Sequence, residues 1–500
     1  MSMFKNIIQF IIRHKLLLLI LIIALFFRTY AVVERFEYAH DADLFSWIVK
    51  DIVVNHHSRL IGQLTSANGI YIGSFFYYLL IPFFWLTHMD PIGSIVPITI
   101  IGMSTVFSYW WVFKKLFNPT IGFIAAFLYG TLLWTVQFDR HVYPSTLSNI
   151  WTIWFFYVVI SISRGKYQVL PILGILIGLV WHIHIALAPT LLTIPVAAML
   201  SLKVPNIKQL FLFFLTLVIT SVPLIIFETR HNFIQTISLF NNFSVDHGGG
   251  SGLPKLNLIL IKLSSNIQNL IFYPSTQNIV PPILILTGIL LSGIFIVKKK
   301  LMHFKELIPL YVWITGVVLF FTFSSTIISE YYFANVEVVF IGILSMLTYL
   351  VFKSSNAGKY FILTLLSVIL IKNFIFFITQ DYYNKGYLER KGVVEFISKD
   401  SKEKGFSCIA VSYITTPGEN VGFRYFFYLK NLHVNQPWSG SPVYSVVLPD
   451  ELAAGDNEVL FGHIKVIPPN SNQIKSPEEI KRSCSGQNSN LTDPLFGYTE

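Results

Sequence analysis

The chain has 500 residues, of which 54% are hydrophobic, 16% aromatic and only 12% charged, with a formal net charge of +10 and a mean hydropathy of +0.62. That balance excludes a soluble globular protein and places the chain among polytopic membrane proteins. Nucleic-acid binding is excluded as well, because the lysines and arginines fall in short clusters between apolar runs and build no basic face.

Lys5, Arg13 and Lys15 precede the apolar run 16–27, and no small-residue cleavage site follows, so the start reads as a retained anchor. Runs near bilayer-crossing length occupy about residues 15–33, 91–113, 119–138, 145–163, 167–183, 185–202, 209–227, 279–297, 307–327, 333–352 and 360–378, which makes about eleven transmembrane helices. With the N-terminus cytoplasmic, the inner connections hold Lys114-Lys115, Arg164 and Lys166, Lys203 and Lys208, Lys298-Lys299-Lys300 with Lys305, and Lys353 with Lys359. All of them satisfy the positive-inside rule. A further apolar run at 70–86 would turn every later basic cluster outward if it crossed. Residues 46–59 and 73–87 are therefore expected to form two amphipathic or re-entrant helices along the outer interface. Of the twelve acids before residue 380, only Glu306 then falls inside, and an outward-facing active site is one cause of such a distribution.

After Gln380 charges become frequent, and Gly, Pro, Ser and Asn divide the sequence into short elements. Residues 1–380 therefore read as a membrane domain and 381–500 as a small extracytoplasmic α+β domain. In the latter, a helical pattern at 388–399 precedes a strand pattern at 407–414, a helix around 422–430 and strands at 443–448 and 463–467. Both cysteines, Cys408 and Cys484, lie in it. A disulfide is permitted outside the cell, and two unpaired thiols are equally compatible with the sequence.

The residues that could do chemistry begin with His40-Asp41-Ala42-Asp43, between the first span and an interfacial helix expected to start near Leu44. Ionisable groups at a membrane face are costly and tend to be paired or functional. The plain alternative is that Asp41 or Asp43 caps that helix. Asp139-Arg140-His141 ends the third span at the same face and Glu330-Tyr331-Tyr332 lies near the ninth, so outer loops distant in sequence can converge there. Arg140 could equally anchor the interface or pair with Asp139. His56-His57, His182 and His184 invite a metal reading, but His182 and His184 project from different sides of a helix and read better as polar groups satisfied within the bundle or lining a cavity. No glycine-rich phosphate loop, zinc-type Cys/His spacing or Gly-x-Ser-x-Gly elbow is present.

The acidic first outer loop, the interfacial helices, the basic inner turns and the outer C-terminal domain together resemble the GT-C superfold of membrane glycosyltransferases. The resemblance is to the family containing protein O-mannosyltransferases and lipid A aminoarabinose transferases, over about residues 15–380. It is carried by Tyr38-Ala39-His40-Asp41-Ala42-Asp43-Leu44, the 73–82 run with Tyr77-Tyr78, Lys114-Lys115-Leu116-Phe117-Asn118, Arg140 through Pro144, Phe227-Glu228-Thr229-Arg230-His231 and Glu330-Tyr331-Tyr332. The family motif is usually Asp followed by Glu; here Ala42 takes the second place and Asp43 comes next. In relatives an arginine commonly precedes the acid of the second outer loop, whereas here Asp139 precedes Arg140.

The resemblance implies transfer of a sugar from a polyprenyl-phosphate donor to an acceptor hydroxyl on a lipid, glycan or protein, with inversion. Asp41 is expected as general base, with Asp43 as its substitute. Arg140, with Arg230 or Lys50 as lesser candidates, is expected to meet the departing phosphate. Asp139, Glu330 and Tyr331 complete the expected binding set. The sequence assigns no cofactor and leaves open whether a divalent cation assists. A transporter or flippase, and an O-antigen-type polymerase or ligase, are the rival readings. Transporters bind near the bilayer midplane, while the acids here collect at one face.

Overall fold

The computed structural model describes residues 14–65, 69–244, 249–273, 279–455, 457–470 and 476–492. Lys5, Arg13, Asp246 and Gly248 lie outside them, as does the side chain of Glu330. Helix α1 (Lys15–Thr29) leads into a first long connection made of α2 (His40–Val53), a hairpin of β1 (Ile61–Leu64) and β2 (Tyr71–Gly73), and α3 (Phe75–Leu86). The next apolar runs fold as α4 (Ile95–Leu116), α5 (Pro119–Thr131), the short α6 (Leu133–Phe138), α7 (Ser148–Ser163), α8 (Leu170–Ile183), α9 (Thr193–Ser201) and α10 (Ile207–Arg230). Helices α11 (Ile234–Ser244) and α12 (Leu253–Phe272) occupy the long connection before α13 (Pro282–Lys298), α14 (Phe304–Phe323), α15 (Glu337–Ser354) and α16 (Asn356–Thr379).

A helix thus stands in each of the eleven apolar runs. Among the described residues six helical segments are long and apolar enough to cross a bilayer: Pro91–Leu116, Pro144–Ser163, Ile207–Arg230, Phe304–Phe323, Tyr331–Ser354 and Asn356–Thr379. Two expectations for the first connection need correction. Helix α2 begins at His40 instead of near Leu44, which places Asp41 and Asp43 in its first turn, where carboxylates meet the positive end of the helix dipole. Residues 54–59 are not helical; Asn55, His56 and His57 follow Val53 with His56 in the left-handed region, φ 54°, and the hairpin comes next.

The third run breaks at Leu132, an extended residue between α5 and α6. Inside a bilayer every carbonyl freed by such a break needs a donor, and side chains supply them. Arg28 donates to Gly130 O at 3.2 Å, Asn373 to Thr131 O at 2.9 Å, and Thr135 to Tyr129 O at 2.7 Å. The same Arg28 places its Nε 3.0 Å from Asp139 Oδ2, while Tyr129 Oη donates to Asp139 Oδ1 at 2.6 Å. Both charged groups are buried. A Cβ at position 102 would sit 2.8 Å from Arg28 Nε, so glycine there gives the pair its room. At the end of the bundle away from this pair, Arg164 binds Glu306 through Nε at 3.0 Å and also caps Leu116 O at 2.8 Å. That contact joins two of the connections assigned to the inner side.

Beyond α16 the chain forms α17 (Tyr387–Glu403), β3 (Ile409–Thr415), α18 (Arg424–Leu429), β4 (Val434–Asn435), β5 (Val443–Leu448), β6 (Val459–Phe461), β7 (Ile464–Ile467), α19 (Pro477–Ser483) and α20 (Ser489–Thr492). The strands form one mixed sheet in the order β4-β3-β5-β7-β6, with β3 parallel to both neighbours and the remaining pairs antiparallel. Cys408 and Cys484 form a disulfide. The buried apolar core runs without interruption from the membrane helices through Phe45, Tyr77 and Tyr38 to Phe426, Phe423 and Val446 of the sheet unit.

Breaking a buried ion pair by removing one partner costs roughly 3–5 kcal/mol, because the other charge is left uncompensated. Asp139→Ala is therefore expected to lower the thermal unfolding midpoint of the detergent-solubilised protein sharply, and Asp139→Asn, which keeps an acceptor for Arg28, to lower it less. An alanine variant as stable as the parent would show that the pair does not hold α1 to α5 and α6.

Candidate active site

A cavity of about 940 Å³ opens between the first connection and the ends of the helices. One wall is the β1–β2 hairpin with Gln63, Leu64 and Ile72, and another is aromatic, with Trp134, Tyr143, Tyr273, Phe321, Tyr331 and Tyr332. Its ionisable lining is Glu37, Asp41, His141 and His184. No lysine or arginine is among the described residues that line it.

The hairpin is strapped in place by side chains that the sequence offers no reason to pair. Tyr77 Oη accepts from Gln63 N at 3.1 Å, and Gln235 Oε1 accepts from Tyr71 N at 2.7 Å. Gln235 is held in turn because the Glu228 carboxylate accepts from Gln235 N at 3.1 Å and Thr236 N at 3.0 Å at the start of α11. His182 Nδ1 accepts from Phe75 N at 3.3 Å while Nε2 lies 3.2 Å from Thr220 O, fixing α3 against α8 and α10. His182 and His184 are accordingly separated in role: His184 Nδ1 accepts from Ala186 N at 3.1 Å, and its ring packs against both Tyr331 and Tyr332 at the cavity wall.

Asp41 stands on the first turn of α2 with its carboxylate 41% exposed towards the cavity, 3.2 Å from His40 Nδ1. That hydrogen bond, more than the surrounding charges, raises the His40 imidazole above its usual range. Glu37 faces the same space, with its carboxylate 3.6 Å from His141 Nε2. Burial in the wall lowers the His141 pKa, against the upward pull of Glu37.

The other candidates have different places. Asp43 is fully buried and accepts from Tyr425 N at 3.0 Å. It does cap a helix, but that helix is α18 and not its own, whose N-cap Ala39 has no side-chain bond. Asp139 is taken up by Arg28 and Tyr129 and not by Arg140. Arg140 donates to Phe27 O at 2.9 Å, Tyr30 O at 3.1 Å and Ala31 O at 3.3 Å, closing the C-terminus of α1, with Phe377 beneath its guanidinium. With Arg35 it lines a recess of about 20 Å³ behind Glu37 and His141, large enough for one water. Lys50 donates to Asn55 and lies over Trp47 and Tyr428, and Arg230 is exposed; neither lines the cavity. Tyr331 does. The backbone of Glu330 opens the short helical turn that delivers Tyr331 and Tyr332.

Glu37 is thus a cavity residue outside every motif, four residues before Asp41, and His141 lines the cavity from the Asp139-Arg140-His141 cluster, where the sequence assigns it no role of its own. No group of three or more His, Cys, Asp or Glu side chains arranged to hold a metal ion is found among the described residues.

Compared with solved structures, the chain aligns with ArnT from Cupriavidus metallidurans bound to undecaprenyl phosphate at TM-score 0.58 and 11% identity, covering 93% of this chain and 99% of that one. The apo form of the same protein gives TM-score 0.56 at 9% identity, with 92% and 99% covered. An oligosaccharyltransferase from Archaeoglobus fulgidus aligns at TM-score 0.49 and 13% identity over 86% of this chain and 68% of its own. The chain matches no family model and no curated protein sequence. At these identities the likeness speaks to architecture alone, and the architecture is the ArnT-like GT-C fold.

Proposed function

We propose that the protein is a membrane glycosyltransferase that moves a sugar from a polyprenyl-phosphate donor to an acceptor hydroxyl on a lipid, glycan or protein, at the extracytoplasmic face. The observation that carries this reading is Asp41, a half-exposed carboxylate on a helix start, facing a cavity of about 940 Å³ in a chain that shares its fold with an undecaprenyl-phosphate-bound ArnT. Residues 1–380 would form the transferase domain and 381–500 an extracytoplasmic domain. The disulfide and the basic inner connections support a cytoplasmic N-terminus in the plasma membrane.

In the proposed step Asp41 takes the proton of the acceptor hydroxyl as its oxygen bonds to the anomeric carbon. The anomeric carbon–oxygen bond to phosphate breaks, its electron pair leaves with the polyprenyl phosphate, and a single displacement inverts the configuration. The aromatic wall offers a stacking surface for the sugar ring. Arg140 is no longer assigned to the departing phosphate, because its donors close the end of α1. The cations near the cavity, including Arg35, Arg140 and Lys255, donate to main-chain carbonyls behind the wall and act on an anionic head group through their field.

Purified protein in liposomes, given a panel of radiolabelled polyprenyl-phosphate sugars with and without chelator, tests the reading and the need for a divalent ion together. Loss of a general base costs about 10²–10⁴-fold, so Asp41→Asn is expected to lose transfer by that factor while Glu37→Gln keeps most of it. Reversed outcomes would move the base to Glu37, and silence of the unmodified protein with every donor would remove the transferase assignment.

The His40–Asp41 pair also has a pH signature. Because the folded His40 pKa lies above the unfolded value of about 6.5, the stability that the pair contributes is fully present below that pH and fades as pH rises through the raised value. A histidine NMR titration should place His40 above its usual midpoint, and Asp41→Asn should bring it back down.

A further inference from the structure

The two acids of the first turn of α2 do opposite things, and the contact made by one determines where the other points. Around a helix, residues two apart lie roughly 200° apart, so Asp41 and Asp43 cannot face the same way. Asp43 is fully buried, with Oδ1 3.0 Å from Tyr425 N in the first turn of α18 and 3.4 Å from Tyr38 Oη. Asp41, on the far side, faces the cavity.

The grip on α2 extends beyond that bond. Trp47, one turn further along α2, packs against Tyr425 and Tyr428 at ring separations of 5.5 and 5.3 Å. Tyr425 Oη donates to Met89 O at 3.0 Å, Tyr387 N to Phe36 O at 3.0 Å, and Asp90 accepts from both Tyr387 Oη at 2.6 Å and Lys391 at 2.7 Å. The unit beyond residue 380 therefore holds the first connection on both sides of the segment that carries Glu37 and Asp41. Helix α18 is itself braced: Arg424 Nε donates to Asn490 O at 2.8 Å and Asn490 Nδ2 to Arg424 O at 3.0 Å, six residues past the disulfide at Cys484.

We infer that Asp43 is a positioning residue, and that the C-terminal sheet unit sets the rotation of α2 through it, so that Asp41 faces the reacting hydroxyl. This rests on the transferase reading above, in which Asp41 is the base. It gives the C-terminal unit a part in catalysis without any contact to substrate. A displacement of about 1 Å at a reacting group can cost about 10²-fold in rate, so loosening this clamp should be felt in turnover before binding.

The test compares Asp43→Asn, which keeps an oxygen to accept from Tyr425 N, with Asp43→Leu, which does not. Hydrogen exchange of the amides at 40–46 is measured beside kcat and KM in the full-length protein. The expected result is that Asp43→Leu loses about 10–100-fold in kcat with KM little changed and raises exchange at 40–46, while Asp43→Asn restores both towards the parent. An Asp43→Asn variant as inactive as Asp41→Asn would overturn the positioning role and make Asp43 chemical. So would an Asp43→Leu variant with normal kcat and normal exchange. Should Asp43→Leu not fold, Tyr387→Phe removes the hydroxyl that bonds Asp90 and Lys391 in the same clamp and is expected to raise exchange at 36–46; unchanged exchange there would overturn the proposal. The exchange arm needs no turnover, so a failure of the transferase reading shows separately as silence of the unmodified protein.

Discussion

Backbone carbonyls released where helices end or break near the membrane face have to find donors, and in this protein cations provide them. Arg28 reaches Ala24 O and Gly130 O, Arg35 reaches Phe377 O and Gln380 O, and Arg140 closes the last turn of α1. Lys255 holds Ser324 O and Thr326 O, Lys262 holds Ile328 O, and Lys372 holds Ile271 O and Tyr273 O. The alternative, an unsatisfied carbonyl in low dielectric, costs several kcal/mol for each group. These side chains permit irregular chain next to the bilayer, and the cavity is built from that irregular chain: the loop 324–329, the turn before Tyr331 and the end of α12.

The division of labour among the acids follows from the same economy. Asp139, Asp43 and Glu228 are buried and each is matched to fixed donors: a guanidinium and a phenol, the start of α18, and the start of α11. Glu37 and Asp41 keep their carboxylates half-exposed at the cavity. A carboxylate that is to meet a ligand needs this looser setting, because one enclosed by its own donors has no open face.

The spans were legible because hydropathy over about twenty residues is a strong signal, and α4, α7, α10 and α14 to α16 emerge within a few residues of the runs read from the sequence. The start of α2 was legible only in part. His40 through Asp43 carries no apolar period, so the helix was placed four residues late, and its first turn is decided by contacts with α18 from nearly 400 residues away. The hairpin has no clear signal in 61–73, because its strands are only four and three residues long and depend on Tyr77 and Gln235 for their place. Arg140 shows the limit most plainly. A guanidinium at a membrane face is equally suited to phosphate and to a helix terminus, and only the position of Phe27, Tyr30 and Ala31 distinguishes the two. Glu37 lies in no motif, and the cluster that holds His141 assigns that residue no role; both matter because the fold brings their segments over one space.

The missing side chain at Gly102 carries a wider consequence. Three positions, 28 on α1, 102 on α4 and 139 just past the end of α6, interlock as a single unit, since the guanidinium and carboxylate occupy the volume that a larger residue at 102 would claim. Drift at one of them is therefore not independent of the other two.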